Sequence, residues 1–112
     1  MKPIKRITLK EVRAAYAKTG LTPKRNIWLE EGCACPLGAM LALDGRPIDD
    51  AESIDDIESV VAKRFGLNLA YVRGFVIGFD AQAALRWRPG EDRRSVWRQG
   101  CRDGRAVAKA VL

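Results

Sequence analysis

Residues 33–43 read Cys-Ala-Cys-Pro-Leu-Gly-Ala-Met-Leu-Ala-Leu and carry no charge, in a chain of 112 residues of which 30% are charged. The stretch is apolar at nearly every position, so it shows neither the stripe of a surface helix nor the alternation of a half-buried strand. Asp44 and Gly45 then signal a turn. A helix over residues 36–43 would be only about 12 Å long and would depend on its neighbours for stability. We therefore predict a short central helix that is enclosed on all sides.

One helix is predicted before this central stretch. Thr8 and Glu11 form a capping box, and apolar residues then recur at helical spacing until Gly20 ends the run. Residues 21–32 contain one signal for the start of a second helix and another for a short extended segment. We predict that this connection is irregular.

Three further helices are predicted after it. Ser53 begins a capping signature for a helix that ends at Gly66, and Asn68 is a natural N-cap for the next helix. Residues 81–88 either continue that helix or start another, and a last helix is predicted over about residues 91–110. The buried stripe predicted for the last helix is Trp97, Cys101, Gly104, Ala108 and Val111. The expected fold is all-α, a single domain over residues 1–112 with about five helices around the central one.

Charge is distributed unevenly along the chain, whose net charge is +6. Residues 1–25 hold eight Lys or Arg and one acid, residues 26–85 hold four and ten, and residues 86–112 hold eight and three. Two interpretations stay open: the basic ends fold against the acidic middle, or they converge into one face that attracts an anionic partner.

Cellular location is predicted from what the sequence lacks. The N-terminus has no apolar run typical of a signal peptide, and no stretch reaches membrane-spanning length. The three cysteines, an odd number, argue against a secreted disulfide framework. We expect a cytoplasmic protein that does not associate with membranes.

Residues 58–77 contain a small residue, Ala62, a glycine suited to a turn, Gly66, and two apolar residues that could pack between helices, Leu67 and Val72. At these offsets the segment resembles the helix-turn-helix of DNA-binding regulators. By this resemblance, the positions that would face a DNA groove are Asn68, Leu69, Ala70, Arg73, Gly74 and Ile77. Most of these side chains cannot hydrogen-bond to a base, and the preceding residues are acidic, which would repel phosphate. The pattern therefore favours a helical corner used for packing over a unit that reads DNA.

Two glycine pairs stand four residues apart, Gly74 with Gly78 and Gly100 with Gly104. Because glycine inside a helix costs about 1 kcal/mol relative to alanine, such pairs indicate close approach to the helix backbone. Contact between helices in the core is the favoured interpretation, and a ligand or partner in a glycine-lined groove is the alternative. The runs Cys-x-Cys-Pro-x-Gly-Ala from residue 33 and Tyr-Val-Arg-Gly-Phe from residue 71 also resemble small uncharacterised proteins of bacteria and their phages, a likeness that implies no activity.

The cysteines are predicted to be structural. Cys35 would be the N-cap of the central helix, a position that lowers the pKa of a thiol. The chain contains no histidine to act as a base, however, and the apolar surroundings raise the pKa. Cys33, Cys35 and Cys101 match no familiar zinc spacing. We expect no catalytic residue, metal or cofactor.

Arginine alternates with tryptophan toward the C-terminus, a combination suited to nucleic acid because arginine binds phosphate and tryptophan stacks on bases. The candidate binding residues are Arg73, Arg86, Arg88, Arg93, Arg94, Arg98, Arg102, Arg105 and Lys109. The alternative is a solvated basic helix that pairs with the acidic zone.

The sequence as a whole predicts a non-enzymatic binding protein that contacts nucleic acid or a nucleoprotein complex through its basic surface. The second hypothesis is a small regulator or inhibitor that binds a protein partner through the acidic loop at residues 48–58 or through the glycine-lined groove. A thiol-dependent enzyme is the third.

Overall fold

The structure, a computed structural model, describes residues 4–45, 54–81 and 94–112. Within these ranges the helices are α1 Leu9–Thr19, α2 Pro36–Leu43, α3 Ile54–Phe65, α4 Leu69–Phe79 and α5 Arg94–Val111. Three short strands lie between α1 and α2: β1 Thr22–Pro23, β2 Leu29–Glu30 and β3 Cys33–Ala34. None of the helices in the described part of the chain is long and apolar enough to cross a membrane. The predicted cap at Ser53, a helix over residues 82–88 and the predicted helix start near residue 91 lie outside the described residues.

The caps predicted at Thr8, Gly20 and Asn68 are confirmed, whereas α4 ends at Phe79 and does not continue through Ala81. The Glu11 amide donates to the Thr8 hydroxyl at 3.2 Å, and the Thr8 amide donates to the Glu11 carboxylate at 3.1 Å, which completes the capping box. Gly20 ends α1 in the left-handed conformation with φ 73°. At the start of α4, the Asn68 side chain accepts a hydrogen bond from the Ala70 amide at 2.9 Å.

A small sheet corrects the all-α prediction, which holds only in part. The strand order is β1-β3-β2, with β1 parallel and β2 antiparallel to β3. The Thr22 amide donates to the Gly32 carbonyl at 2.8 Å, and the Lys24 amide donates to the Ala34 carbonyl at 3.2 Å. Each strand has two residues, too few to show the apolar alternation by which a strand is recognised from sequence.

Helix α2 forms over the predicted residues and is buried along most of its length, from Pro36 to Leu41. Its glycine, Gly38, lies so close to the backbone carbonyl of Trp28 that a Cβ atom there would overlap it. The C-terminal end of the helix is not enclosed, because Leu43 is 44% exposed. The expectation that the central helix is enclosed on all sides is therefore correct only from Pro36 to Leu41.

Helix α4 is the more completely buried helix. Every residue from Ala70 to Phe79 is buried except Arg73. Its three large aromatic side chains, Tyr71, Phe75 and Phe79, are at most 1% exposed and share one hydrophobic cluster with residues of α1, α2 and α3. The core is therefore built around α4 as much as around α2.

Candidate nucleic-acid interface

Helices α4 and α5 pack backbone against backbone at four glycines. A Cβ atom added at any of these glycines would lie less than 3.0 Å from a carbonyl oxygen of the opposite helix. The facing pairs are Gly74 with Trp97, Gly78 with Cys101, Gly100 with Tyr71, and Gly104 with Phe75. The glycines thus serve the helix contact that the sequence favoured, and the helices themselves fill the groove between them. This contact fixes which side of α5 faces solvent.

The outer side of α5 is a row of cations. Trp97, Gly100, Cys101, Gly104 and Ala108 are buried against the rest of the fold. The exposed cations are Arg94, Arg98, Arg102, Arg105 and Lys109, and we call them the α5 ridge. At 3.6 residues per turn and 1.5 Å per residue, they fall within an arc of about 80° and extend over about 22 Å.

No acid in the described part of the chain forms an ion pair with the α5 ridge. In the described ranges the ion pairs are Arg6 with Asp103, Arg64 with Asp44, and Arg73 with Glu58. None of them includes a member of the ridge. Arg102 donates to the neutral Gln99 side chain at 2.9 Å. The described acids of the middle zone that form ion pairs, Asp44 and Glu58, therefore do so with arginines of that zone and not with α5.

Asp103, the sole acid among residues 94–112, lies on another side of α5 and is 9% exposed. Arg6 donates to both of its carboxylate oxygens, at 2.9 and 2.7 Å. Tyr71 donates to the same carboxylate at 2.5 Å and Gln99 at 2.9 Å. Burial alone would raise the pKa of Asp103, but the hydrogen bonds from Arg6, Tyr71 and Gln99 and the charge of Arg6 together lower it. The carboxylate is thus ionised and matched by Arg6, so it does not offset the ridge.

Two other N-terminal cations bind the ends of helices. Lys5 donates to the Phe65 carbonyl at the end of α3 at 2.6 Å, and Arg25 donates to the Phe79 carbonyl at the end of α4 at 2.8 Å. Cations are favourable there because the unpaired carbonyls of a helix C-terminus carry partial negative charge. Part of the N-terminal basic zone therefore serves the fold, a role that no sequence signal indicated.

The structure brings five of the nine predicted binding residues together in the α5 ridge. Arg73 is a different case, because it lies on α4, its side chain is 23% exposed, and its Nε is 4.0 Å from the Glu58 carboxylate. Arg86, Arg88 and Arg93 lie outside the described residues. The network of Arg6, Asp103 and Tyr71 was not predicted. The signal that could have singled out Asp103 is that it is the sole acid among residues 94–112.

The helix-turn-helix-like corner is a packing unit in this fold. The Leu67 amide donates to the Ala62 carbonyl at 2.8 Å, and Gly66 turns the chain with φ 65°. Three of the six positions that would face DNA are buried, namely Ala70, Gly74 and Ile77. Because α5 packs on Gly74 and the Ile77 and Ala70 side chains cluster with Trp97, that side of α4 is closed to a DNA groove.

Two of the three thiols, those of Cys35 and Cys101, are buried. Cys35 is the N-cap of α2, and its sulfur accepts a hydrogen bond from the Gly38 amide at 3.4 Å. Burial raises the pKa of Cys35 to about 12, and burial also raises the pKa of Cys101. A cavity of about 120 Å³ between α2 and α4 is lined in part by Cys35, Phe75 and Asp80. No group of three or more acids or cysteines within the described ranges is arranged to hold a metal ion.

Comparison of the chain with protein-family models, with curated proteins and with solved structures finds no match. The resemblances seen in the sequence therefore stay predictions, and the function has to be inferred from the geometry alone.

Proposed function

We propose that the protein binds nucleic acid, free or within a nucleoprotein complex, through the α5 ridge. The observation that carries this proposal is the set of five exposed cations on one side of a single helix, none of them in an ion pair with a described acid. A row of unneutralised cations attracts a polyanion and releases the counterions of its phosphates on binding.

The rest of the fold supports this role by holding the ridge in place. Close packing of α4 against α5 leaves little freedom for α5 to rotate or shift. The Arg6 to Asp103 pair attaches the N-terminal segment to another side of the same helix. Cations held on a rigid helix lose less conformational freedom on binding than cations on a loop.

Two triple variants with the same change in net charge test the proposal. In the first, Arg94, Arg98 and Arg105 of the ridge become glutamine; in the second, Lys10, Arg13 and Lys18 of α1 do. All six side chains are exposed, and glutamine is a good helix former. Arg102 is left unchanged because it bonds to Gln99.

Affinity for a fluorescent DNA duplex is measured by anisotropy at several salt concentrations. We expect the ridge variant to lose affinity and the slope of log K against log salt to become shallower by about 2 to 3, at roughly 0.9 per phosphate contact. The α1 variant should keep most of the affinity and most of the salt slope. Equal losses in the two variants, or no detectable binding by the unmodified protein at low salt, would contradict the proposal.

The regulator hypothesis receives less support from the structure. The glycine-lined groove that it invoked is filled by the α4 and α5 backbones. Of the acidic loop at residues 48–58, the described side chain of Glu58 is buried beside Arg73. Binding of a purified protein partner that survives both high salt and the ridge variant would select this alternative over nucleic acid.

A further inference from the structure

We infer that the ligand of the α5 ridge is the phosphate backbone of a double-stranded nucleic acid, contacted without reading the base sequence. This inference rests on the proposed function and specifies the class of its ligand. Three features of the described residues lead to it: no exposed aromatic side chain is found among them, the Gln99 amide of α5 is engaged within the protein, and the cations of the ridge lie on one arc of the helix.

Proteins that bind single strands combine a basic groove with aromatic side chains on which bases stack, each worth about 1 to 3 kcal/mol. The aromatic residue of α5, Trp97, is 8% exposed and packs with Ala70, Ile77 and Cys101. Elsewhere in the described ranges the tyrosine and phenylalanine side chains are buried, apart from Phe65, and Trp28 is, like Phe65, only partly exposed. Trp97 lies in the buried stripe predicted for this helix and is therefore not available to stack on a base.

The contribution of the α5 ridge itself depends on counterion release, which grows with the charge density of the ligand. A duplex carries one negative charge per roughly 1.7 Å of its axis, against one per roughly 3.4 Å for each strand, and releases more counterion per contact. Binding by the ridge should therefore favour the duplex over its separate strands.

Base reading in the major groove uses polar side chains that reach base edges, above all Asn, Gln and Arg. On α5, the Gln99 amide is engaged, donating to Asp103 and accepting from Arg102. A helix lying in the major groove would meet a phosphate backbone on both sides, whereas the ridge covers one arc of about 80°. Cations restricted to one arc are suited to one backbone, so we expect contacts with phosphates alone.

The test compares a DNA duplex of about 20 base pairs, a GC-rich and an AT-rich version of it, the separate strands, and an RNA duplex of the same length, at about 50 to 200 mM salt. We expect each duplex to bind more tightly than its strands, the two DNA compositions to differ by less than about threefold, and a slope of log K against log salt near −4 to −5 for up to five phosphate contacts. The duplex that binds more tightly, DNA or RNA, identifies which nucleic acid supplies the phosphate backbone.

Two results would overturn this inference while leaving the proposed function in place: equal or tighter binding of the single strands, or a preference of more than about tenfold for one base composition, the size of a specific base contact. Absence of binding to every probe at low salt would overturn the proposed function itself. The ridge variant completes the test, because duplex binding that keeps its full salt slope after loss of Arg94, Arg98 and Arg105 would exclude the ridge as the contact.

Discussion

The Tyr71 hydroxyl donates to Oδ2 of Asp103 at 2.5 Å and links the first turn of α4 to α5. The same hydroxyl accepts a hydrogen bond from the Ile7 amide at 2.8 Å. One buried phenol therefore joins α4, α5 and the N-terminal segment. Burial, and next the hydrogen bond to Asp103, raises the pKa of Tyr71, so the hydroxyl keeps the proton that it donates.

Replacement of this hydroxyl should destabilise the protein. The variant Tyr71→Phe leaves the Ile7 amide without its acceptor and removes one donor from Asp103, at a cost of about 1 to 3 kcal/mol in the free energy of unfolding. Urea denaturation measures the change. Tyr16→Phe is the matched control, since that buried hydroxyl donates to the Ala34 carbonyl at 2.8 Å. A larger loss in the Tyr16 variant would contradict the linking role of Tyr71.

Ionisation of Asp103 should make the free energy of unfolding depend on pH in the acidic range. Its pKa is lowered in the folded protein, so folding favours the ionised carboxylate. This stability is present above the unfolded pKa of about 3.9 and is lost as the pH falls from there through the lower folded value. Because other carboxylates titrate in the same window, the informative quantity is the stability difference between the unmodified protein and Asp103→Asn. We expect this difference to shrink between pH 7 and pH 3, whereas a constant difference would show that ionisation of Asp103 does not contribute.

The sequence predicted those parts of the fold that depend on neighbouring residues. The caps at Thr8, Cys35 and Asn68 are correct because a cap is defined by residues two or three positions apart. The close contact of α4 and α5 was also accessible, because glycines at a spacing of four share one side of a helix and let a second backbone approach it. In the same way, the α5 ridge follows from helical periodicity alone.

The sequence did not predict features that depend on contacts between distant segments. Arg6 and Asp103 are 97 positions apart, and no pattern pairs them. Lys5 and Arg25 bind backbone carbonyls, which every residue provides, so their partners leave no trace in the sequence. The exposure of Leu43 likewise depends on where the other helices end, which the apolar character of residues 33–43 does not reveal.

Replacement of a glycine at the contact between α4 and α5 by alanine should destabilise the protein, although alanine has the higher helix propensity. On propensity alone, Gly100→Ala would stabilise α5 by about 1 kcal/mol. In the fold, the new Cβ atom would overlap the Tyr71 carbonyl, a backbone group that cannot rotate away. We therefore expect a net loss of about 2 to 3 kcal/mol, typical of an overpacked core, measured by urea or thermal denaturation.

The control variant Ala106→Gly measures the propensity difference between alanine and glycine alone in the same helix, because Ala106 is exposed. It should cost about 1 kcal/mol. Stabilisation by Gly100→Ala comparable in size to this cost would mean that α4 and α5 are not in backbone contact at Gly100.

The thiols should differ in reactivity according to their burial. Because burial raises the pKa of Cys35 to about 12, very little thiolate exists at pH 8, and the side chain is also closed to reagents. Cys101 is buried as well, whereas Cys33 is partly exposed. We expect Ellman's reagent to modify one thiol rapidly in the native protein and the other two at the rate of unfolding, with the rapid phase absent in Cys33→Ser. A rapid phase that persists in Cys33→Ser and disappears in Cys35→Ser would show an accessible, activated Cys35 and return the thiol-enzyme hypothesis to consideration.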